Sequence, residues 1–276
     1  MKRACVIGWP VVHSRSPVIH RYWLKLYDLE GGYEQEAVRP EEVAEFLKTL
    51  GNHGYAGANV TLPYKEAALA AADRADQAAI TIGAANTLWL DAKGLLHASN
   101  TDAYGFMTHL AQEAPDWNRG KRLMVLGAGG AARAILQGLI GAGASKILLA
   151  NRTGDRTKAL AQSFGPRVSV VPWEDRCKAL DGCGLLVNTT SLGMTGKPPL
   201  DIDLSALPFD AIVAEIVYSP LETPLLAVAV GRGNRTVDGL GMLLHQAVPG
   251  FERWFGVRPE VTSALRAHVA AHLEAS

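Results

Sequence analysis

The sequence predicts an α/β protein of two domains, one of them built on a doubly wound parallel sheet. Three observations carry that reading. Short apolar runs alternate with stretches of helical spacing along most of the 276 residues. One of those runs, 123–126, passes directly into a glycine-rich turn and then a helical pattern. The 48% hydrophobic content is ample for two ordinary cores at this length.

The elements follow in order. Residues 4–7 read as a first strand, 17–27 as a helix, 33–38 as a strand and 40–50 as a helix. A strand over 57–61 leads into an alanine-rich helix over 63–72. The runs 87–90 and 95–98 flank Asp91-Ala92-Lys93-Gly94, a hairpin signal. A helix from Tyr104 to Ala114 stops before Pro115. There we place the boundary, with 1–103 as the first domain and 104–238 as the second. In the second, 123–126, 146–150, 167–171, 184–188 and 211–217 are buried strands of a parallel sheet, and 235–237 is a short last one. The helix after the first of these spans 131–140 and closes at Gly141 and Gly143. Two C-terminal helices, 239–255 and 259–273, have no strands of their own, so 239–276 is expected to complete the first domain. Pro249-Gly250 is expected to kink the earlier helix or break it in two.

Composition excludes several partners. Lysine plus arginine balances aspartate plus glutamate at 27 each, so no overall field favours nucleic acid or an anionic membrane. A small-molecule partner is expected. Gly8 and Pro10 interrupt the apolar start before signal-peptide length, and no apolar run is long enough to cross a bilayer. The expected location is the cytoplasm. Cys5, Cys177 and Cys183 lack Cys-x-x-Cys spacing and read as reduced. The eight histidines form no ligand cluster, so no metal is expected.

The glycine turn, Gly127-Ala128-Gly129-Gly130-Ala131, has the setting of a dinucleotide site, with a strand before it and a helix after. The first glycine permits the tight turn, the second lets backbone approach a pyrophosphate, and small Ala132 lets helix pack on strand. The next strand ends in Asn151-Arg152-Thr153, with Arg156 a helical turn beyond. An NAD site would place an acidic residue there; a guanidinium suits a 2′-phosphate, so the cofactor expected is NADP. This is a Rossmann-type unit.

Three segments of the first domain carry candidate chemistry, each with a plainer reading beside it. Ser14-Arg15-Ser16-Pro17 opens a helix: Ser16 stands in cap position, and two hydroxyls beside free N–H groups also suit a carboxylate. Lys65 falls in the first turn of its helix, where the dipole disfavours a fixed cation and favours proton release. It is also the kind of residue found on any solvated surface. Asp102 follows the hairpin as an N-cap, or else as the partner that holds the Lys65 ammonium in place. In the second domain, Asn188-Thr189-Thr190-Ser191-Leu192-Gly193-Met194 leaves a strand end, where open α/β sheets bind ligands.

Taken together, these segments resemble the shikimate dehydrogenase family. The likeness runs in family order through Gly8 to Pro17, Asn59 to Lys65, Gly83 to Thr87, Asn100 to Asp102 and Gly127 to Ala131. It continues through Asn151 to Thr153, Asn188 to Met194, Tyr218-Ser219-Pro220 and Gly239 to Gln246. The resemblance implies reversible NADPH-dependent reduction of 3-dehydroshikimate to shikimate, in the route to aromatic amino acids, with the site in a cleft between the domains. It implies that Ser14 and Ser16 hold the substrate carboxylate, that Thr61, Asn86, Asp102 and Gln246 bind ring hydroxyls, and that Lys65 and Asp102 form the catalytic pair near Tyr218. For the cofactor it implies Gly127, Ala128, Gly129, Gly130 and Ala131 at the pyrophosphate, and Asn151, Arg152, Thr153 and Arg156 at the adenosine phosphate. Thr190, Met194 and Gly239 would lie toward the nicotinamide. The assembly expected is a monomer or homodimer. Arg15, Arg21 and Glu215 depart from the common pattern, Glu215 standing where many members carry aspartate. The alternatives are a quinate or dual quinate/shikimate dehydrogenase, which Arg152 argues against, and an NADPH-sensing module, which has no need of both Lys65 and Asp102.

Overall fold

In the computed structural model, which describes residues 2–274, the chain forms two compact units. One comprises residues 2–102 with 246–272, the other 103–245 with 273–274.

The first unit contains β1 (Lys2–Gly8), α1 (Ser16–Leu26), β2 (Gly31–Ala37), α2 (Val43–Lys48), β3 (Tyr55–Val60), α3 (Lys65–Ala71), β4 (Arg74–Ala75), α4 (Gln77–Ile82), β5 (Thr87–Leu90) and β6 (Leu96–Ser99). Its sheet runs β2-β1-β3-β5-β6-β4. β1 is parallel to β2 and β3, while β5 is antiparallel to β3 and to β6. This mixture of directions decides where the loops fall. The ends of β1, β3 and β6 and the start of β5 all lie at one edge of the sheet. The hairpin is held by Asp91, whose Oδ1 accepts from the N–H groups of Lys93 and Leu95 at 2.8 and 3.0 Å.

Sequence periodicity missed β4 and α4, because each is too short to show a period. The cap signals were present: Asp76 accepts from the N–H of Ala79 at 2.8 Å, and Gly83 closes α4 at φ 74°.

The second unit contains α5 (Asp102–Glu113, its first residue shared with the first unit), β7 (Arg122–Leu126), α6 (Gly130–Gly141), β8 (Ile147–Ala150), α7 (Gly154–Phe164), β9 (Val168–Val171), β10 (Cys183–Asn188), β11 (Ile212–Glu215), α8 (Pro224–Gly231) and β12 (Arg235–Val237). Its six strands, ordered β12-β11-β10-β7-β8-β9, are all parallel. The chain starts in the middle, winds out to one edge, returns and winds out to the other, which is the doubly wound order. Leu123 and Val125 pack with Phe106, Ile135 and Leu139 on one face, and Met124 and Leu126 with Leu180, Leu186 and Leu226 on the other. Burial on both faces explains why these strands read as unbroken apolar runs. α8 escaped the sequence reading, since its seven residues after Pro224 are apolar or small with no polar stripe.

Two C-terminal helices follow, α9 (Gly239–Phe255) and α10 (Ser263–Glu274). The division between units falls inside α9, between His245 and Gln246. Of the kink or break expected at Pro249, the break does not occur: α9 is one helix through it. Leu244, Ala247, Val248, Phe251 and Trp254 form a buried stripe on both sides of the proline, and its packing outweighs one lost backbone bond. Trp254 is anchored in the first unit, its indole N–H donating to the Leu88 carbonyl at 2.9 Å. A Cβ at Gly57 would run into that indole and the same carbonyl, so the strand needs glycine there.

Among the described residues, no helix is long and apolar enough to cross a membrane, and no group of histidine, cysteine and acidic residues is placed to hold a metal. Cys5 and Cys183 are buried, Cys177 partly so, and all three are free thiols.

Candidate active site

In the first unit, segments far apart in sequence converge at the sheet edge where β1, β3 and β6 end. Lys65, the first residue of α3, directs Nζ to Asp102 Oδ2 at 2.6 Å. The other carboxylate oxygen, Oδ1, accepts from Asn86 Nδ2 at 2.8 Å. Asn86 Nδ2 also lies 3.5 Å from Gln246 Oε1. Lys65, Asp102, Asn86 and Gln246 therefore form one constellation, with the lysine and aspartate side chains 29% and 13% exposed. That is enough exposure to meet a small ligand and enough burial to strengthen the pair over a surface salt bridge.

Asp102 is not the cap of its helix. Asn100 Oδ1 accepts the Asp102 N–H at 3.0 Å, which leaves the Asp102 carboxylate to the lysine and the amide.

A buried relay supports this group, and sequence reasoning did not foresee it. Tyr33 donates its phenol to Asn59 Oδ1 at 2.5 Å, and Asn59 Nδ2 donates to the Asn86 carbonyl at 3.2 Å. Asn86 Oδ1 in turn accepts from the Thr101 N–H at 2.9 Å and from the hydroxyls of Thr101 and Thr87. Thr101 also donates to the Gln246 carbonyl at 2.8 Å, tying α9 to the site. The available signal was the run of polar residues at strand ends, Asn59, Thr87 and Thr101, each nearly fully buried. Beside the relay, His20 stacks on Tyr33 with ring centroids 4.1 Å apart, and burial pushes its imidazole down to about 3, so it stays neutral.

The serine loop corrects one expectation. Ser16 is already the first residue of α1 and caps nothing; Ser14 Oγ accepts from the Ser16 N–H at 3.3 Å. Arg15 sits at the cap position without a capping bond. Ser14 and Thr61 occupy the loops after β1 and β3, held by backbone bonds to Val11 and Ile7. Among the described residues, no side-chain hydrogen bond joins Ser14, Ser16 or Thr61 to the Lys65–Asp102 pair.

In the second unit, the expected nucleotide residues fall at the carboxyl ends of parallel strands. Gly127 follows β7 at φ 115°, where a Cβ would strike Thr189. Ala128 follows; Gly129 is the extended N-cap of α6 with no side chain capping it, and Gly130 and Ala131 begin the helix. Nothing lies within 4 Å of a Cβ built on Gly129 or Gly130. This open cradle, facing first-turn N–H groups that have no acceptor in their own helix, fits a pyrophosphate. Asn151, Arg152 and Thr153 form the turn after β8, with Thr153 at the N-cap position of α7, its side chain making no capping bond, and Arg156 in the first turn. Arg152 and Arg156 are exposed. Thr190 and Met194 lie on the loop after β10 and Tyr218 beyond β11. Gly239 opens α9 so close to the Ile216 and Val217 carbonyls that a Cβ has no room. Glu215, at the end of β11, is 1% exposed, and burial pushes its carboxyl up to about 7.

Comparisons with known proteins cover the chain. Family models match residues 6–88 as a shikimate dehydrogenase substrate binding domain, 109–193 as a shikimate/quinate 5-dehydrogenase, and 239–267 as a shikimate 5′-dehydrogenase C-terminal domain. A shikimate dehydrogenase (NADP+) of Rhodopseudomonas palustris strain TIE-1 is 57% identical over 272 residues, 99% of this chain and 97% of the relative. Among solved structures, the Thermus thermophilus shikimate 5-dehydrogenase in complex with NADP(H) and shikimate aligns with a TM-score of 0.87 and 35% identity, covering 99% of this chain and 100% of that one. A Corynebacterium glutamicum quinate dehydrogenase in complex with NAD aligns with a TM-score of 0.91 and 29% identity, covering 98% and 99%.

Proposed function

This chain belongs to the shikimate dehydrogenase family, and from that premise we propose that it reduces 3-dehydroshikimate to shikimate with NADPH, reversibly, Lys65 and Asp102 serving as its catalytic pair. It is an NADP-dependent oxidoreductase acting on a CH–OH group. The observation that carries the site assignment is the hydrogen-bonded group Lys65–Asp102–Asn86, built at one sheet edge from three separate segments.

Bound NADPH supplies the hydride that the ketone carbon accepts. As electron density moves onto the carbonyl oxygen, Lys65 Nζ donates a hydrogen bond and then a proton to it, giving the alcohol. Asp102 Oδ2 orients the ammonium throughout, and Asn86 fixes the other carboxylate oxygen, so the aspartate stays in place as an orienter. In the oxidative direction neutral Lys65 takes the hydroxyl proton back. Ser14 and Ser16 hold the substrate carboxylate; Thr61, Asn86, Asp102 and Gln246 bind its hydroxyls, with Tyr218 as a further substrate residue. Gly127 to Ala131 cradle the pyrophosphate, Asn151, Arg152, Thr153 and Arg156 receive the 2′-phosphate end, and Thr190, Met194 and Gly239 stand at the nicotinamide.

The test is to offer the purified protein shikimate or quinate with NADP or NAD and follow the absorbance of reduced nicotinamide. Turnover is expected with shikimate and NADP above the other three pairings. Dominant turnover of quinate with NAD would reassign substrate and cofactor, and no turnover with any pairing would leave only the sensing role.

A further inference from the structure

Glu215 touches no expected ligand position, yet it collects hydrogen bonds from three directions at the exit of β11. Asn188 Nδ2 donates to both of its carboxylate oxygens, at 3.0 and 2.8 Å. The Val217 N–H donates to Oε1 at 3.0 Å and the Thr223 hydroxyl to Oε2 at 3.4 Å. Each donor belongs to a different stretch: Asn188 ends β10, Val217 begins the segment that carries Tyr218, and Thr223 caps α8. From Asn188 the chain of bonds continues outward. Asn188 Oδ1 accepts from the Thr190 N–H at 3.0 Å and the Thr190 hydroxyl at 2.8 Å, and Thr190 Oγ1 accepts from the Leu192 N–H at 3.1 Å. The Asn188 amide can face the acid only one way, because its oxygen is committed to Thr190.

The three groups that meet Glu215 all donate, through four hydrogen bonds, and once the carboxyl, pushed up to about 7 by burial, has ionised, it only accepts and satisfies every one of them. An amide would turn an N–H₂ toward at least one donor and leave it buried without a partner. The fold keeps the carboxylate here despite burial that resists its charge, which is the pattern of a group retained for geometry rather than stability.

We propose that Glu215 is a positioning residue for the cofactor: through Asn188 and Thr190 it fixes the 189–194 loop against which the nicotinamide end of NADP rests. This deepens the reading of Thr190 and Met194 given above and rests on it. Glu215 acts mainly on cofactor affinity, because the bonds running from it through Asn188 and Thr190 into the loop outnumber its single bond to the Val217 N–H beside Tyr218.

The experiment compares, at pH 8 where Glu215 is ionised, the wild type with Glu215→Gln and Glu215→Asp, measuring NADPH binding by fluorescence titration, KM for each reactant, and thermal melting to confirm folding. Glu215→Gln is expected to raise the NADPH dissociation constant and KM about tenfold, the effect of one buried donor left unpaired, with the shikimate KM within twofold of wild type. Glu215→Asp keeps the charge but withdraws the oxygens by one methylene, and is expected to raise the NADPH constants at least threefold; it decides the matter should the glutamine variant not fold. Unchanged NADPH binding in a folded variant, or equal losses for shikimate and NADPH, would overturn the proposal. Wild-type protein that binds no NADPH would instead overturn the cofactor reading beneath it.

Discussion

Asn86 and Asp102 are joined by a hydrogen bond of 2.8 Å from Nδ2 to Oδ1, the oxygen of Asp102 that Lys65 leaves unused. The amide thereby fixes the plane of the carboxylate, and the carboxylate fixes the direction of the ammonium. Replacing Asn86 with alanine also strands the buried Thr101 N–H that its Oδ1 accepts. We expect Asn86→Ala to lose about 1–3 kcal/mol of stability in urea unfolding and to lower kcat/KM for shikimate about a hundredfold. Unaltered kcat/KM in a folded variant would show that the orientation of Asp102 does not matter to the reaction.

Lys65 is the only member of the constellation that brings a proton to the substrate. Lys65→Ala should lower kcat by about a hundredfold to ten-thousandfold, the range for losing a positioned acid. NADPH affinity should stay within twofold. Fluorescence titration and steady-state kinetics separate the two effects, and a variant with normal kcat would remove Lys65 from the mechanism.

Gly127 combines φ 115° with a close approach to Thr189. An alanine there meets both a strained backbone and a side-chain collision, so Gly127→Ala is expected to cost about 2 kcal/mol or more. The turn that feeds α6 moves with it, and NADPH binding should fall at least tenfold. Retention of wild-type binding by calorimetry would argue that the turn has slack which the geometry does not suggest.

Arg152 is exposed at the turn after β8, positioned for a 2′-phosphate and with little to do for the fold. Arg152→Ala should raise KM for NADP by about tenfold or more, as a lost charge-assisted pair does, while leaving KM for NAD and the melting temperature nearly unchanged. Equal effects on both cofactors would assign the 2′-phosphate to another residue.

Glu215 makes stability depend on pH with a definite sign. Its carboxyl is raised from 4.5 to about 7 in the folded protein, so between those values the folded state holds a proton that the unfolded state has released. The stabilising contribution is full below pH 4.5 and is lost as pH rises through 7. The difference amounts to roughly 3 kcal/mol. Urea unfolding at pH 5 and pH 8 should show a smaller pH dependence in Glu215→Gln than in the wild type; parallel curves would place the titration elsewhere.

The local sequence determined most of the second unit. Its strands are buried on both faces and so appear as continuous apolar runs, and the turn at Gly127 must be glycine because of backbone geometry, a constraint that acts over a few residues. Lys65, Asp102 and Asn86 were legible as motifs, and only their pairing distinguished Lys65 from a surface lysine and Asp102 from a helix cap. That pairing was decided by tertiary structure. β5 runs antiparallel between β3 and β6, which brings residues 65, 86 and 102 to one edge although nothing in their local spacing demands it. The same holds for Tyr33, Asn59 and Glu215, whose polar groups gain their roles from burial beside partners distant in the chain. The unbroken course of α9 through Pro249 has this origin too: a proline's cost is local and readable, whereas the packing of Phe251 and Trp254 that outweighs it exists only once the core has formed.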